Sequence, residues 1–267
     1  MIISNNRSGL CNRMKAMASV IRLSDNPKVF WQKVNGILNC GFTDLFENND
    51  LEILDPPSTR IKYYNSWRLA VLPKDNLPKG FSIVQTLCPD KFSFTDPNGR
   101  NIDLEYHRIP EKIKKEYSII FKSLKPIKSL RKEIENFSSF FDEKTVSVHI
   151  RSWDDDELRR ELYDIESFKE EMNKHPEESN FFLAADSQEV VEQLRECYGD
   201  RILTYARKSD LSSSRSNVQG MRDDLVELYL LSKNNSIIGT HMSTFTEVAW
   251  WLGACKAEVT IALKNKI

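Results

Sequence analysis

From Thr145 to the C-terminus the sequence switches repeatedly between short apolar runs and stretches with helical spacing. "TVSVHI", "NFFLAA", "RILTYA", "SIIGT" and "AEVTIAL" have the length and the β-branched and aromatic content of buried strands. Between them lie "DIESFKEEMNKH", "SQEVVEQLRECYG", "DDLVELYLLSKN" and "STFTEVAWWLG", which read as helices. Ser187 and Ser243 stand where helix caps belong, and Gly199 stands at a helix end. Strands separated by helices run parallel, because each crossover carries the chain back to the same side of the sheet. This half of the chain is therefore expected to form a parallel sheet with flanking helices.

The N-terminus repeats the theme on a smaller scale. "MIIS" is a short strand, "NNRSGLCN" a polar loop, and "RMKAMASVIRLS" a helix with Met14, Met17, Ala18 and Ile21 on one face. Asn12 occupies the position of its N-cap, and "KVFWQ" is a second strand. From about residue 40 to 105 the chain is turn-rich ("DPPSTR", "LPKDNLPKG", "FTDPNGR"), and Pro56, Pro57, Pro73, Pro78, Pro89 and Pro97 preclude a long helix. Short strands and loops, an acceptor-facing insertion, are expected there. "IPEKIKKEYSIIFKSLKPIKSLRKEIENF" is helical in pattern and broken at Pro126. The expected division is a lobe over 1–125 and a lobe over 126–267.

Composition limits what such a chain binds. The 267 residues carry a formal net charge of −1, so neither duplex nucleic acid nor an anionic membrane is an expected partner. An anionic ligand would have to be held by local cations. The five cysteines are scattered, with no C-x-x-C pair, and suit free thiols in a reducing compartment. The four histidines show no zinc-ligand spacing. No apolar run approaches the roughly 20 residues of a membrane span, and "MIISNNRSG" does not read as a signal peptide. A cytoplasmic location is the expectation.

In an open α/β sheet, ligands lie beyond the carboxyl ends of the strands. That rule selects "NNRSGLCN", "RSWDDD", "ADS" and "THMSTF". In the last, Ser243 and Thr244 begin a helix, whose free amides and dipole favour a phosphate; Ser243 as a plain helix cap accounts for the residue equally well. Arg151 adds a forked, permanently charged donor suited to a diphosphate. His149, one step inside the same strand, reads as a core histidine or as a ligand contact. Glu227 reads as a helix surface residue or as an acceptor for the N1–H and N2–H₂ edge of guanine. Asp154, Asp155 and Asp156 contain a D-x-D pattern that could hold a divalent metal against a diphosphate. Carboxylates at a helix start are favoured by the dipole without any metal, and no metal is expected here. One of them orienting Arg151, or acting as base toward an acceptor hydroxyl, is the preferred reading. "NRSGLCNRM" has one glycine rather than the three of G-x-G-x-x-G, and neither a P-loop nor G-x-S-x-G occurs, which argues against dinucleotide binding, P-loop chemistry and a serine hydrolase.

Taken in order, "SGLCNRMKAMAS", "VFWQKVNGILNCGFTDLF", "VSVHIRSWDDD", "FFLAADSQEVVEQL" and "DDLVELYLLSKNNSIIGTHMSTFTEVAWWLG" resemble a known set of motifs. They resemble those of bacterial glycosyltransferases related to rhizobial chitin-oligosaccharide fucosyltransferases and to protein O-fucosyltransferases. The resemblance implies an α/β fold of two Rossmann-like lobes, the GT-B type, with a reduced N-terminal lobe and the sugar nucleotide held by the C-terminal one. It implies inverting, metal-independent transfer of L-fucose from GDP-fucose, with no cofactor besides that donor. The acceptor would be a hydroxyl of a glycan, a lipid-linked sugar or a protein, and a lipid-linked acceptor would bring the chain to a membrane surface.

Carried over by position, Arg151 would bind the diphosphate, and His149 and Glu227 would approach the guanine. Ser243 and Thr244 would hold phosphate, Phe245 would border the nucleotide, and Asp186 would shape its pocket. Arg7, Asn12 and Arg13 would line the cleft from the N-terminal side. Arg151 with Asp154 or Asp156 would carry catalysis. The chain departs from the pattern at Ser152 and Trp153, where many relatives have a second arginine and a glycine. It departs also at Glu227, where relatives often have aspartate. The missing arginine keeps two alternatives open: another donor (GDP-mannose, GDP-rhamnose or a UDP-sugar), or a binding module without turnover.

Overall fold

A computed structural model of the chain describes residues 2–47, 51–54, 62–64, 69, 93–95, 101–104, 111–153 and 156–264. Two parallel sheets organise them. The first contains β1 (Ile2–Ser4), β2 (Lys28–Phe30), β3 (Glu52–Leu54) and β4 (Lys62–Tyr64), in the order β3-β2-β1-β4. Helix α1 (Leu10–Leu23) connects β1 to β2. An antiparallel pair, β5 (Ser93–Thr95) and β6 (Asn101–Leu104), stands apart. The six prolines of the turn-rich segment, Cys88, Asp154 and Asp155 lie outside the described residues.

Helices α2 (Glu111–Ser123) and α3 (Lys128–Ser138) follow, with Pro126 between them as the sequence predicts. The second sheet contains β7 (Val146–Ile150), β8 (Phe181–Ala185), β9 (Ile202–Leu203), β10 (Ser236–Gly239) and β11 (Glu258–Ile261), all parallel, in the order β11-β10-β7-β8-β9. Its helices are α4 (Glu157–Leu162), α5 (Ile165–Met172), α6 (Gln188–Tyr198), α7 (Val218–Leu231) and α8 (Thr244–Leu252). The α/β architecture expected from the alternation is the one observed.

Strand alternation explains why this sheet is apolar on both faces. In β7, Val146, Val148 and Ile150 pack with Phe168, Met172 and Leu194 on one side. Ser147 and His149 point to the other, where the Ser147 hydroxyl donates to Leu231 O (2.8 Å). In β8, Phe181 and Leu183 join the first cluster, and Phe182 and Ala184 join a second. The second cluster runs on through Met14 and Met17 of α1 and Tyr117 and Phe121 of α2 to Trp250 and Trp251 of α8. Phe121 stacks on Trp251 at 6.0 Å.

Local expectations fail where tertiary contacts set an element's limits. Helix α1 is capped at Gly9, not Asn12, because the helix begins earlier and puts Asn12 inside its first turn. Helix α7 begins at Val218 rather than Asp223, since the Asn217 side chain accepts the Gly220 N–H (2.7 Å). The "RILTYA" strand shrinks to Ile202–Leu203 at the sheet edge. Helix α4 begins directly after Asp156, at the helix start the three aspartates mark.

Candidate functional site

The carboxyl ends of β7, β8 and β10 and the start of α1 face a cleft of about 590 Å³. Its position follows from topology. β7 is the central strand, and β8 and β10 flank it with their crossovers on opposite sides of the sheet.

Thr240, just past β10, prolongs the pairing of the strands. Its hydroxyl donates to His149 O (2.9 Å) and accepts the Arg151 N–H (2.9 Å). Arg151 is thereby fixed at the cleft floor, and its Nη1 lies 2.6 Å from Asp186 Oδ2. The other oxygen of Asp186 accepts the Ser152 N–H at 2.6 Å. Burial lowers the Arg151 pKa against the opposing pull of Asp186. The two side chains remain about one-third exposed (32% and 31%), so the pair contributes only about 0.2–1 kcal/mol. A charged hydrogen bond to an incoming anion is worth about 1.5–3 kcal/mol, which lets Arg151 turn to a ligand.

His149 is buried, and its Nδ1 lies 2.9 Å from Thr246 Oγ1. Its ring stacks on Phe245 at 4.9 Å. Burial pushes its pKa down to about 4, so the imidazole is neutral near pH 7. Gly239 permits this close approach of α8, since a Cβ there would sit 2.3 Å from Thr246 Cγ2. Ser243 caps α8 by accepting the Phe245 N–H (3.2 Å), and Met242 before it has φ +51°. Ser243, Thr244 and Phe245 all border the cleft, so a helix N-terminus faces the same space as Arg151.

Glu227 is not a helix surface residue. It is buried, and Arg207 Nη1 lies 2.5 Å from its Oε2. The same guanidinium pairs through Nη2 with Asp224 Oδ1 (2.6 Å). Burial pushes the Glu227 carboxyl up to about 8, with Arg207 pulling the other way. Arg207 Nε is buried without a hydrogen-bond partner among the described residues.

The expected residues thus separate into groups. Arg151, Asp186, His149, Glu227, Ser243, Thr244, Phe245 and Asn12 share the cleft, and Asn12 Oδ1 is buried with no partner among the described residues. Arg13 does not line it. Arg13 is buried beneath the loop before α1, donating to Ser8 O (2.7 Å), Arg7 O (3.3 Å) and Gln32 O, with its guanidinium 5.3 Å from the Trp31 ring. Its work is to hold that loop. Arg7 is exposed and outside the lining. Asp156 is the N-cap of α4, accepting the Arg159 N–H (3.2 Å) and pairing with Arg159 Nε (3.4 Å). Asp154 lies outside the described residues.

Sequence reading missed Arg159, Arg207, Arg215 and Asp224, all of which border the cleft. Arg215 lies on a 3₁₀ segment, Leu211–Ser216, that no periodicity marks. Among the described residues that border it, four arginines meet three carboxylates, Asp186, Asp224 and Glu227. Among the described residues, no three His, Cys, Asp or Glu side chains gather as a metal-ligand set, and no helix is long and apolar enough to cross a membrane.

No protein-family model and no curated protein matches the sequence. Solved structures do share the fold. The fucosyltransferase NodZ from Bradyrhizobium aligns over 93% of this chain and 91% of its own, with a TM-score of 0.55 at 15% identity. POFUT1 in complex with GDP aligns over 98% and 97%, with a TM-score of 0.55 at 10% identity. A mutant of FUT1 from Arabidopsis thaliana in complex with GDP aligns over 97% and 69%, with a TM-score of 0.53 at 16% identity. The two-lobed α/β architecture is therefore common to this chain and those enzymes.

Proposed function

We propose that this chain is an inverting glycosyltransferase that moves L-fucose from GDP-fucose to a hydroxyl of a glycan, lipid-linked sugar or protein, without a metal ion. The observation that carries the reading is the meeting of Arg151 with the N-terminus of α8, across Ser243 and Thr244, in one cleft at the strand ends. The shared fold supports it, since a NodZ α-1,6-fucosyltransferase has been soaked with GDP-fucose and aligns over 94% of this chain.

When the glycosidic bond to the donor breaks, negative charge builds on the β-phosphate. Arg151 and the amide-rich start of α8 are placed to take that charge. Neutral His149 and the Glu227–Arg207 pair lie in the same cleft, and the Glu227 carboxylate has the chemistry to accept the two donors of a guanine edge. An acceptor hydroxyl would attack the anomeric carbon from the face opposite the leaving GDP. Asp156 is engaged with Arg159 and the α4 amides, so Asp154 is the carboxylate we retain as base. A lobe boundary near residue 125 belongs to the same proposal. So does a cytoplasmic site of action, supported by the free thiols of Cys11, Cys40, Cys197 and Cys255.

Titration calorimetry with GDP and UDP, followed by release of GDP from GDP-fucose in the presence of EDTA, tests the reading. Binding of GDP with chelator-resistant release supports it. Preference for UDP selects the other-donor alternative, and binding without any turnover, with or without acceptors, selects the non-catalytic one.

A further inference from the structure

Among the described residues the cleft is bordered by four guanidinium groups, of which three are matched by carboxylates. Arg151 faces Asp186, Arg159 faces Asp156, and Arg207 faces Asp224 and Glu227. Arg215 borders the same cleft, is exposed, and has no ion pair among the described residues. A diphosphate brings one negative charge per phosphate and a further one once its sugar has left. Arg151 is already shared with Asp186, and the start of α8 adds only about half a charge.

The segment that carries Arg215 is held in place from both lobes. Asn39 N–H donates to Arg215 O (3.2 Å), and Asn39 Nδ2 donates to Ser216 O (2.9 Å). From the other side, Asn217 Nδ2 donates to Ser213 O (2.9 Å). Gly220 of α7 packs so closely beneath that a Cβ would lie 2.3 Å from Ser214 Cα. The backbone under Arg215 is thus fixed, while its exposed side chain makes no ion pair among the described residues. The charge of Arg215 reaches Asp224, whose ionised form it favours, and Arg151, whose own protonation it disfavours. Two like charges brought together in a cleft are stabilised by an anion between them.

We infer that Arg215 is the second diphosphate-binding cation of this chain, delivered to the β-phosphate from the 211–216 segment rather than from the strand-end motif, where Ser152 stands next to Arg151. The inference rests on the nucleotide-sugar reading and adds to it a residue from outside the motifs. It makes Ser152 and Trp153 a relocation of charge rather than a loss of function.

Calorimetry with GDP and GMP, on wild type, Arg215→Gln and Arg215→Lys, tests it. Arg215→Gln is expected to weaken GDP about 10-fold or more, leave GMP within about 2-fold, and flatten the salt dependence of GDP binding. Arg215→Lys should recover part of the loss, and melting temperatures should match wild type. Asn39→Ala, which loosens the segment but keeps the cation, should cost less than Arg215→Gln. Equal loss of GDP and GMP, or unchanged GDP binding, overturns the inference while leaving the nucleotide reading in place. A wild-type protein that binds no GDP overturns the nucleotide reading itself.

Discussion

Arg151 and Asp186, on adjacent strand ends, form a 2.6 Å ion pair in which the carboxylate is anchored independently by the Ser152 amide. Removing the arginine therefore leaves Asp186 with a partner and a share of solvent. Arg151→Ala should lower kcat about 10²–10³-fold, the usual cost of deleting a charge stabiliser, with little change in Tm. Arg151→Lys should restore only part, because an ammonium cannot serve Asp186 and a phosphate with one rigid fork. Initial rates of GDP release, paired with thermal melts, check this. An alanine variant with near-wild-type turnover contradicts the role.

The raised Glu227 carboxyl gives nucleotide binding a pH signature. With a pKa of about 8, much of it is protonated at pH 7, and only the ionised form accepts both donors of a guanine edge. The terminal phosphate of GDP is already largely ionised above pH 7. GDP affinity should rise several-fold between pH 7 and 8.5, then level off, and Glu227→Gln should bind more weakly with a flat profile. Calorimetry across that range decides it. A wild-type affinity that falls with rising pH removes Glu227 from base recognition.

What the sequence made legible, and what it hid, follows from the range of the interactions. The parallel sheet was readable because each buried strand is a local apolar run, and Ser187 and Ser243 were readable as caps because capping is a contact within one turn. Asn12 misled because Gly9 caps α1 with no side chain at all. Arg207 pairs with Glu227 from a segment between β9 and α7, and Arg215 reaches the cleft from a 3₁₀ turn. Neither position follows from any periodic pattern. The resemblance puts Arg13 at the cleft, because position in a motif carries no information on burial.

His149 sets an acid limit on stability. Its folded pKa of about 4 lies below the unfolded value of 6.5, so the unfolded chain binds the proton more readily. The stabilisation is complete above pH 6.5 and is lost as the pH falls toward 4, by an amount on the order of 3 kcal/mol. Denaturant melts of wild type should lose stability across this window more steeply than those of His149→Gln. Parallel slopes would mean that the imidazole is hydrated in the folded chain.

Lys15 of α1 and Glu247 of α8 form an ion pair whose side chains are 2% and 6% exposed. Glu247 Oε1 also accepts the Trp251 indole N–H at 3.3 Å. The pair joins two helices whose first turns both border the cleft, and so sets Asn12 relative to Ser243. Burying two charges costs several kcal/mol, which their attraction roughly repays, whereas one charge left alone is costly. Lys15→Met should therefore destabilise by about 3–5 kcal/mol, and Lys15→Met combined with Glu247→Gln should recover much of it. If the pair serves only stability, GDP affinity in the double variant will equal that of wild type. If it also sets the cleft, affinity will stay reduced after Tm has recovered. A single variant that costs under about 1 kcal/mol would show that water reaches the pair and that the two helices are held by their apolar contacts alone.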